Sequence, residues 1–579
     1  MEKPWLRFYE PGIPARLDYP PMLLDRILTE TAQTYPSNIA SNFVLRYLAR
    51  DRITVGGKHT YQELNELVNR FATALYQLGV RKGDRVAVML PNSPQFAIAF
   101  FAAVRIGAVV VNVNPTYTSR ELQHQLVDSG AETIIILNLF WRRLREVQPN
   151  TPVKRVIVSY IYDTLSWHFR LLVRFSQQRE ADWVEVRPEH DIFYFDHLLK
   201  KYDPTPPLVP VQPEDIALLQ YTGGTTGTPK GAMLSHNNIN ANVRQVQAWY
   251  PKARPGAEKI MSAIPFFHVY GMTTCLIYTV MIGGEMVIVP NPRPIENVMR
   301  IIEHERCTLF PGVPAMYIGV VNHPNVKKYD MSSIDACISG SAPLPMEIQE
   351  RFGKLTGGRL VEGYGLSEAS PVTHANPVHG ERRSGSIGIP LPDVEARLID
   401  LETGADLPFD NGQTGELLVR GPQVMQGYWQ RDEETARTIS EDGWLHTGDI
   451  CRADKDGYFY IVDRKKDVMI VGGFKVLPRE VEEVLYMHPK VREVVVAGIP
   501  HPTRGDDTVK AYIVPQDGSP PTRDEIRDFC RQYLAPYKLP REVEIREELP
   551  KTVVGKVLRR ELIAEELERQ KAAGERPAD

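Results

Sequence analysis

DRVAVMLPNSPQFAIAFFAAVRIGAVVVNV, residues 84–113, reads as strand, helix, strand. Its outer runs, RVAVML and AVVVNV, are short, β-branched and apolar without alternation, the pattern of strands buried on both faces. The run between them, PQFAIAFFAAVRIG, has helical length and pattern. Two such strands joined by a helix form the unit of a parallel sheet with crossover helices.

Working outward, ETIIIL and KRVIVSY extend the same series. A second series follows: IALLQ, IMSAIP, EMVIV, the helix IENVMRIIEHER, CTLF, DACISG, the helix PMEIQERFGKL and RLVEG. The two series predict two packed α/β subdomains. Beyond about Pro390 the pattern changes to short strands with tight turns, EARLID, GELLVRG and GYFYIVD, the last preceded by Lys455-Asp456-Gly457. That predicts a small β-barrel-like subdomain over about 390–460. After residues 463–467 come a helix PREVEEVLYMH, strands VREVVVAGI and TVKAYIVP, a helix TRDEIRDFCRQYL and a last helical segment from Gly555. Those elements are enough for a small α+β domain. The expected fold class is α/β, with domains at 1–465 and 466–570 and a frayed tail at 571–579.

The chain has 579 residues, too many for one core, and its 43% hydrophobic content excludes a disordered or collagen-like protein. Sixty-eight basic against seventy-two acidic residues leave a net charge of −4, without the basic excess that nucleic acid binding needs. Nucleic acid is therefore not an expected partner. The five cysteines, Cys275, Cys307, Cys337, Cys451 and Cys530, are scattered, with no C-x-x-C pair, so a reducing compartment is expected rather than a disulfide framework or a zinc site. The opening MEKPWLRFYEPG lacks the apolar core of a signal peptide, and a cytoplasmic location follows as the expectation. One uncharged stretch, residues 260–284, has the length of a membrane span. It carries Pro265, His268 and threonines, and it reads as buried core.

The densest chemical signal is YTGGTTGTPKG, residues 221–231, between a strand and a strand-like run. Glycines, hydroxyl side chains and one lysine in so short a loop offer N–H groups, O–H donors and a cation together, which suits a polyphosphate such as ATP. It is not a Walker A loop. Thr228 and Pro229 separate Gly227 from Lys230, and a glycine follows where Ser or Thr would stand.

TGGTTGTPKG occurs with GYGLSE (363–368), DGWLHTGD (442–449), YFYIVDRKKD (458–467) and PKTVVGKVLRREL (550–562), in that order. The set resembles the acyl-adenylate-forming enzymes, which include acyl-CoA synthetases, luciferases and peptide-synthetase adenylation domains. The run DGWLHTGDICRADKDGYFYIVDRKKD is most similar to bacterial long-chain fatty-acyl-CoA synthetases. The resemblance implies a two-step ligase reaction: ATP and an acid give acyl-AMP and pyrophosphate, then CoA displaces AMP to give the thioester.

It implies residue roles as well. Thr222, Gly223, Gly224, Thr225, Thr226, Gly227 and Lys230 would hold the β and γ phosphates. Glu368, with Thr226, would bind Mg²⁺. Gly340, Ser341 and Ala342 would wall the adenine, and Gly363, Tyr364, Gly365, Leu366 and Ser367 would pass beside it. Asp449 would accept both ribose hydroxyls, with Ile461 and Arg464 as further nucleotide contacts. Lys556 would reach the α-phosphate and carboxylate during adenylation. Lys466 stands at the family's hinge position, about which the small domain rotates so that CoA can enter. Gly472, Gly473 and Lys475 would then face CoA.

PFFHVYGM, residues 265–272, matches the acyl-site motif, so that His268 would orient the carboxylate. Gly271, Gly312, Ala315 and Gly340 would leave room for the chain. Some long-chain relatives gate the tunnel with a tryptophan after this histidine; Tyr270 is the candidate here, since no Trp occurs between Trp249 and Trp429.

IYDTLSWHFRLLVRFS, residues 161–176, reads as an inserted helix with Ile161, Leu165, Phe169 and Leu172 on one side and Arg170 and Arg174 on another. Such a helix fits a peripheral place at a membrane interface, packing on the protein's own surface, or a contact in a homodimer. Two other functions fit the same chain. A medium-chain or aromatic-acid CoA ligase, or a carrier-loading acyl-AMP ligase, would differ in acid and acceptor. A non-catalytic lipid- or nucleotide-binding protein would show no acid-dependent pyrophosphate exchange.

Overall fold

The computed structural model describes residues 3–48, 51–180, 182–222, 229–342, 344–409, 412–471, 474–501, 506–516, 520–552 and 557–574. They divide into two compact units, Trp5–Glu395 with Val419–Leu445, and Ala396–Leu418 with the residues from His446 onward.

The larger unit contains the predicted α/β series. Its seven-stranded sheet runs in the order Ile192–Tyr194, Arg155–Ser159, Thr133–Leu137, Arg85–Met89, Val109–Asn112, Ile216–Thr222, Lys230–Ser235. Neighbours are parallel except for the last pair, which is antiparallel. The crossover helix Pro94–Arg105 is buried along nearly its whole length, which explains why its sequence is apolar all round rather than amphipathic. It starts sharply because Ser93 Oγ accepts the Phe96 N–H and proline follows the cap.

The second series forms two four-stranded sheets, Lys259–Ser262, Glu285–Ile288, Ile39–Leu48, Ile53–Thr60 and Ala336–Ser339, Arg359–Gly365, Val372–Ala375, Ile389–Pro390. Leu309 joins them, bridging Ile260 on one side and Ala336 on the other. The hairpin of Ile39–Leu48 and Ile53–Thr60 lies outside the strand series read from the sequence. Polar residues break its alternation, and its register shifts between Val44 and Arg46, beside Gly56, where a Cβ would lie 1.9 Å from the Phe43 carbonyl.

The uncharged 260–284 stretch is core: a buried strand, then helical turns through Val269–Gly271, a π-type stretch Met272–Ile277 and Tyr278–Met281. No described helix is long and apolar enough to cross a membrane. All five cysteines are free and buried.

The inserted helix begins later than its sequence suggests, at Trp167–Gln177. Ile161 and Leu165 precede it in buried turns, so they share no helix face with Phe169 and Leu172. Of the predicted face, Leu172 is exposed, and it is joined by Trp167 (75% exposed), Leu171 and Phe175 (65%). Its arginines are held down, Arg170 by Asp196 and Arg174 by Glu185 at 3.1 Å.

The smaller unit contains a five-stranded sheet in the order Asp406–Leu407, Glu395–Ile399, Gly415–Arg420, Leu445–Ala453, Phe459–Arg464. It also contains the three-stranded sheet Val491–Pro500, Asp507–Pro515, Glu542–Ile545, packed on helices Pro478–Tyr486 and Arg523–Cys530. Helix Arg559–Gly574 docks on the strand Val491–Pro500, with Leu562 fully buried.

Candidate active site

In the larger unit, the phosphate-loop motif is closed at its base by a sheet pair. Thr222 ends one strand, Lys230 begins the next, and the two are register partners. A buried polar chain supports this end: Gln220 receives the Asn112 amide at 3.1 Å and donates to the Phe267 carbonyl at 3.3 Å, tying the strand to the residue before His268. Lys230 is largely buried and ion-pairs with Glu434, and its Nζ lies 5.4 Å from the centroid of the Tyr428 ring. The Tyr428 hydroxyl donates to Glu368 Oε1 at 2.8 Å. Lys230 and Glu368 are thus joined through a residue that none of the motifs contains.

Glu368 sits on a short 3-10 turn, Ser367–Ala369, directly after the strand that carries Gly363, Tyr364 and Gly365. The turn needs its glycine. A Cβ on Gly365 would lie 2.0 Å from the Pro371 carbonyl oxygen, whose partner is the Leu366 N–H at 3.0 Å. Tyr364 is buried against His374, edge to face at 5.9 Å. Burial holds His374 neutral, its pKa pushed down to about 3, so the ring behind Tyr364 carries no charge at any working pH. Gly340, Ser341 and Ala342 follow the strand Ala336–Ser339, and Ser341 takes a left-handed φ of 73°.

His268 caps the helical turn Val269–Gly271 by accepting the Tyr270 N–H at Nδ1, 3.2 Å away. With Nδ1 an acceptor, the neutral ring carries its proton on Nε2. Tyr270 is buried, and its hydroxyl donates to the Ile338 carbonyl at 2.7 Å. The glycines expected to give the acyl group room face this protein's own atoms. A Cβ on Gly271 would meet the Pro265 carbonyl oxygen at 2.3 Å, on Gly312 the Tyr317 hydroxyl at 2.7 Å, and on Gly340 the Tyr270 ring at 3.2 Å. Ala315 stands on the helix Pro314–Val321. A small cavity of about 80 Å³ is lined by Trp249, Tyr278, Leu309, Cys337, Ile338 and Val361 among other apolar side chains. Thr274, one helical turn beyond Tyr270, also lines it and donates its hydroxyl to the Tyr270 carbonyl at 2.7 Å.

In the smaller unit, Asp449 and Arg464 are partners across adjacent strands, and Arg464 Nε meets Asp449 Oδ1 at 2.8 Å. The Asp449 N–H is received by Thr447 Oγ1 at 3.1 Å, and Gly448 turns with a φ of 69°. Ile461, on the Arg464 strand, pairs with Cys451. Lys466 is exposed on the 3-10 turn Lys465–Asp467, whose first lysine is anchored to Glu416 at 2.9 Å. Lys475 pairs with Glu402 at 2.9 Å, and Phe474 beside it stacks on Tyr537 with ring centroids 4.6 Å apart. Gly223, Gly224, Thr225, Thr226, Gly227, Gly472, Gly473 and Lys556 lie outside the described residues.

Comparison with known proteins decides the family. The AMP-binding enzyme profile matches residues 28–429, and that of the AMP-binding enzyme C-terminal domain matches residues 480–556. The chain belongs to the AMP-binding enzyme family. Within it, the chain is 44% identical over 570 residues to a long-chain-fatty-acid–CoA ligase of Bacillus subtilis (strain 168), covering 98% of this chain and 99% of that protein. It is 41% identical to a long-chain-fatty-acid–CoA ligase of Escherichia coli O157:H7, over 97% and 98% of the two chains. Among solved structures, an anthranilate CoA ligase in complex with anthranoyl-AMP superposes with a TM-score of 0.81 at 26% identity, over 96% of this chain and 99% of that one. ATP-bound MatB from Rhodopseudomonas palustris superposes with a TM-score of 0.80 at 27% identity, over 94% and 99%.

Proposed function

We propose that this protein is an ATP-dependent long-chain fatty acid:CoA ligase. The observation that carries the reading is the closure of the phosphate-loop motif by Thr222 and Lys230, with Lys230 linked through Tyr428 to Glu368. In the first step a carboxylate oxygen of the acid attacks the α-phosphorus of ATP, and the bond to pyrophosphate breaks. In the second the CoA sulfur, having lost its proton, attacks the acyl carbon, and the bond to AMP breaks. Lys230 and the loop before it hold the phosphates. His268, with its Nε2 proton, orients the acid carboxylate. Tyr364 flanks the adenine, Asp449 and Arg464 take the ribose side, and Lys556 neutralises charge at the α-phosphate. Lys466 is the hinge, and Gly472, Gly473 and Lys475 meet CoA.

Glu368 fits a magnesium ligand. A hard cation held mainly by phosphates needs only one or two carboxylates, and the Tyr428 donor fixes one oxygen of this one. Magnesium, held by Glu368 with Thr226, would supply charge neutralisation on the pyrophosphate leaving group.

Long-chain specificity draws support from the relatives' names. The test is pyrophosphate release across a panel of acids, followed by detection of the CoA thioester. A profile peaking at aromatic or medium-chain acids overturns the chain-length assignment, and pyrophosphate release without a thioester overturns the CoA step.

A place on the cytoplasmic face of a membrane is part of the same proposal, carried by the exposed Trp167, Leu171, Leu172 and Phe175 on one short helix. A water-poor substrate is delivered efficiently from a bilayer, and Trp beside aliphatic residues suits the interface. Replacing Trp167, Leu171 and Phe175 by serine is expected to abolish sedimentation with phospholipid vesicles. Unchanged sedimentation, or a shift from dimer to monomer in gel filtration instead, refutes it.

A further inference from the structure

Tyr428 is fixed on two sides at once. Trp429 N–H donates to the Gly231 carbonyl at 2.8 Å and Met233 N–H to the Gly427 carbonyl at 2.9 Å, so the chain around Tyr428 runs along the strand that begins with Lys230. Met425 N–H donates to the carbonyl of Glu368 itself at 2.8 Å. The side chain repeats the pattern, with its ring beneath Lys230 and its hydroxyl on Glu368. Tyr428 is only 8% exposed, so neither contact competes freely with bulk water.

The chemistry of the two contacts differs. A donor at Oε1 stops the Glu368 carboxylate from rotating and draws charge from that oxygen, leaving Oε2 the more basic of the two toward a cation. The ring face holds an ammonium by its quadrupole while leaving the N–H donors of Lys230 able to meet Glu434 and a phosphate.

We infer that Tyr428 is a positioning residue, aligning Glu368 for a divalent cation and Lys230 for a triphosphate so that the two charges act at a preset separation. The inference rests on the ligase reading, in which Glu368 meets the metal. It is tested on the full-length enzyme with Mn²⁺ as the probe, free Mn²⁺ being counted by electron paramagnetic resonance in the presence of a non-hydrolysable ATP analogue.

Tyr428→Phe keeps the ring and removes the hydroxyl. It is expected to weaken Mn²⁺ binding roughly 10- to 100-fold, while analogue binding in metal-free buffer is unchanged. Tyr428→Leu removes the ring as well and is expected to weaken metal-free analogue binding about 2- to 5-fold. Circular dichroism melting checks that each variant is folded, and Glu368→Gln is the control. If E368Q leaves Mn²⁺ affinity unchanged, the metal reading of Glu368 falls and the inference with it. If E368Q weakens Mn²⁺ binding and Y428F does not, the role of Tyr428 is overturned and the ligase reading stands.

Discussion

Arg559 Nη1 donates to Asp467 Oδ2 at 2.6 Å, and Nη2 of the same guanidinium donates to Glu482 Oε1 at 2.6 Å. Asp467 follows the hinge candidate Lys466, and Arg559 stands three residues after Lys556. Just before Arg559, the Leu558 N–H donates to the Pro550 carbonyl at 2.8 Å and Val557 bridges Lys551. One guanidinium therefore ties Asp467, next to the hinge candidate, to the start of the helix Arg559–Gly574. Rotation about Lys466 would move Asp467 and that helix start together.

Arg559→Lys keeps the charge but cannot bridge two carboxylates with one planar fork. Acid-dependent ATP–pyrophosphate exchange is expected to fall about tenfold, roughly 1.4 kcal/mol, with thioester formation from supplied acyl-AMP less affected. Arg559→Met leaves two half-buried carboxylates without their cation and is expected to lower the smaller unit's stability by about 1–3 kcal/mol. Equal loss of both half-reactions in a folded R559K protein argues against a link to the lysine.

Lys556→Ala is expected to abolish pyrophosphate exchange while sparing thioester formation from supplied acyl-AMP. The two half-reactions are assayed separately, and survival of both removes Lys556 from the adenylation step.

Val361 is 1% exposed and lines the apolar cavity. Val361→Phe fills that space at an overpacking cost of about 1–3 kcal/mol. The kcat/KM for long-chain acids should drop at least tenfold more than that for medium-chain acids. A uniform drop across chain lengths shows that the distal part of the chain lies elsewhere.

Asp163 accepts the Tyr160 N–H at 2.8 Å and the Ser159 hydroxyl at 3.1 Å, with Arg170 at 3.9 Å. Burial dominates these contacts, and Asp196 adds to it, pushing the carboxyl up to about 7. An unfolded aspartate releases its proton near pH 4. Between about pH 4 and 7 the folded chain therefore retains a proton that the unfolded chain has lost, and rising pH lowers stability. Integrated over that window the loss is on the order of 4 kcal/mol. Asp163→Asn removes it, so the variant should gain stability over the parent as pH rises from 5 to 8, read as the difference in denaturant midpoints. A constant difference across that range contradicts the assignment.

Much of the architecture is legible in residue order. RVAVML, AVVVNV, TIIIL and RVIVS are apolar on successive positions because both faces of their sheet are covered, and the helix Pro94–Arg105 is apolar all round because it too is enclosed. The hairpin from Ile39 to Thr60 escapes that logic, since polar residues and a register shift interrupt its period. The inserted helix shows the same limit. Its segment was readable, but Ile161 and Leu165 turn inward ahead of the first helical residue, and of the predicted face only Leu172 joins Trp167, Leu171 and Phe175 in the exposed set.

The sequence by itself determined the family and the α/β class, because loop composition and strand period are local properties of the chain. Only the tertiary structure decided that Tyr428 lies between Lys230 and Glu368, that Arg559 holds Asp467, and that Gly271 and Gly312 face Pro265 and Tyr317 rather than open space. Those contacts join residues distant in the chain. Close packing and sheet order choose them, and neither leaves a periodic trace in the order of amino acids.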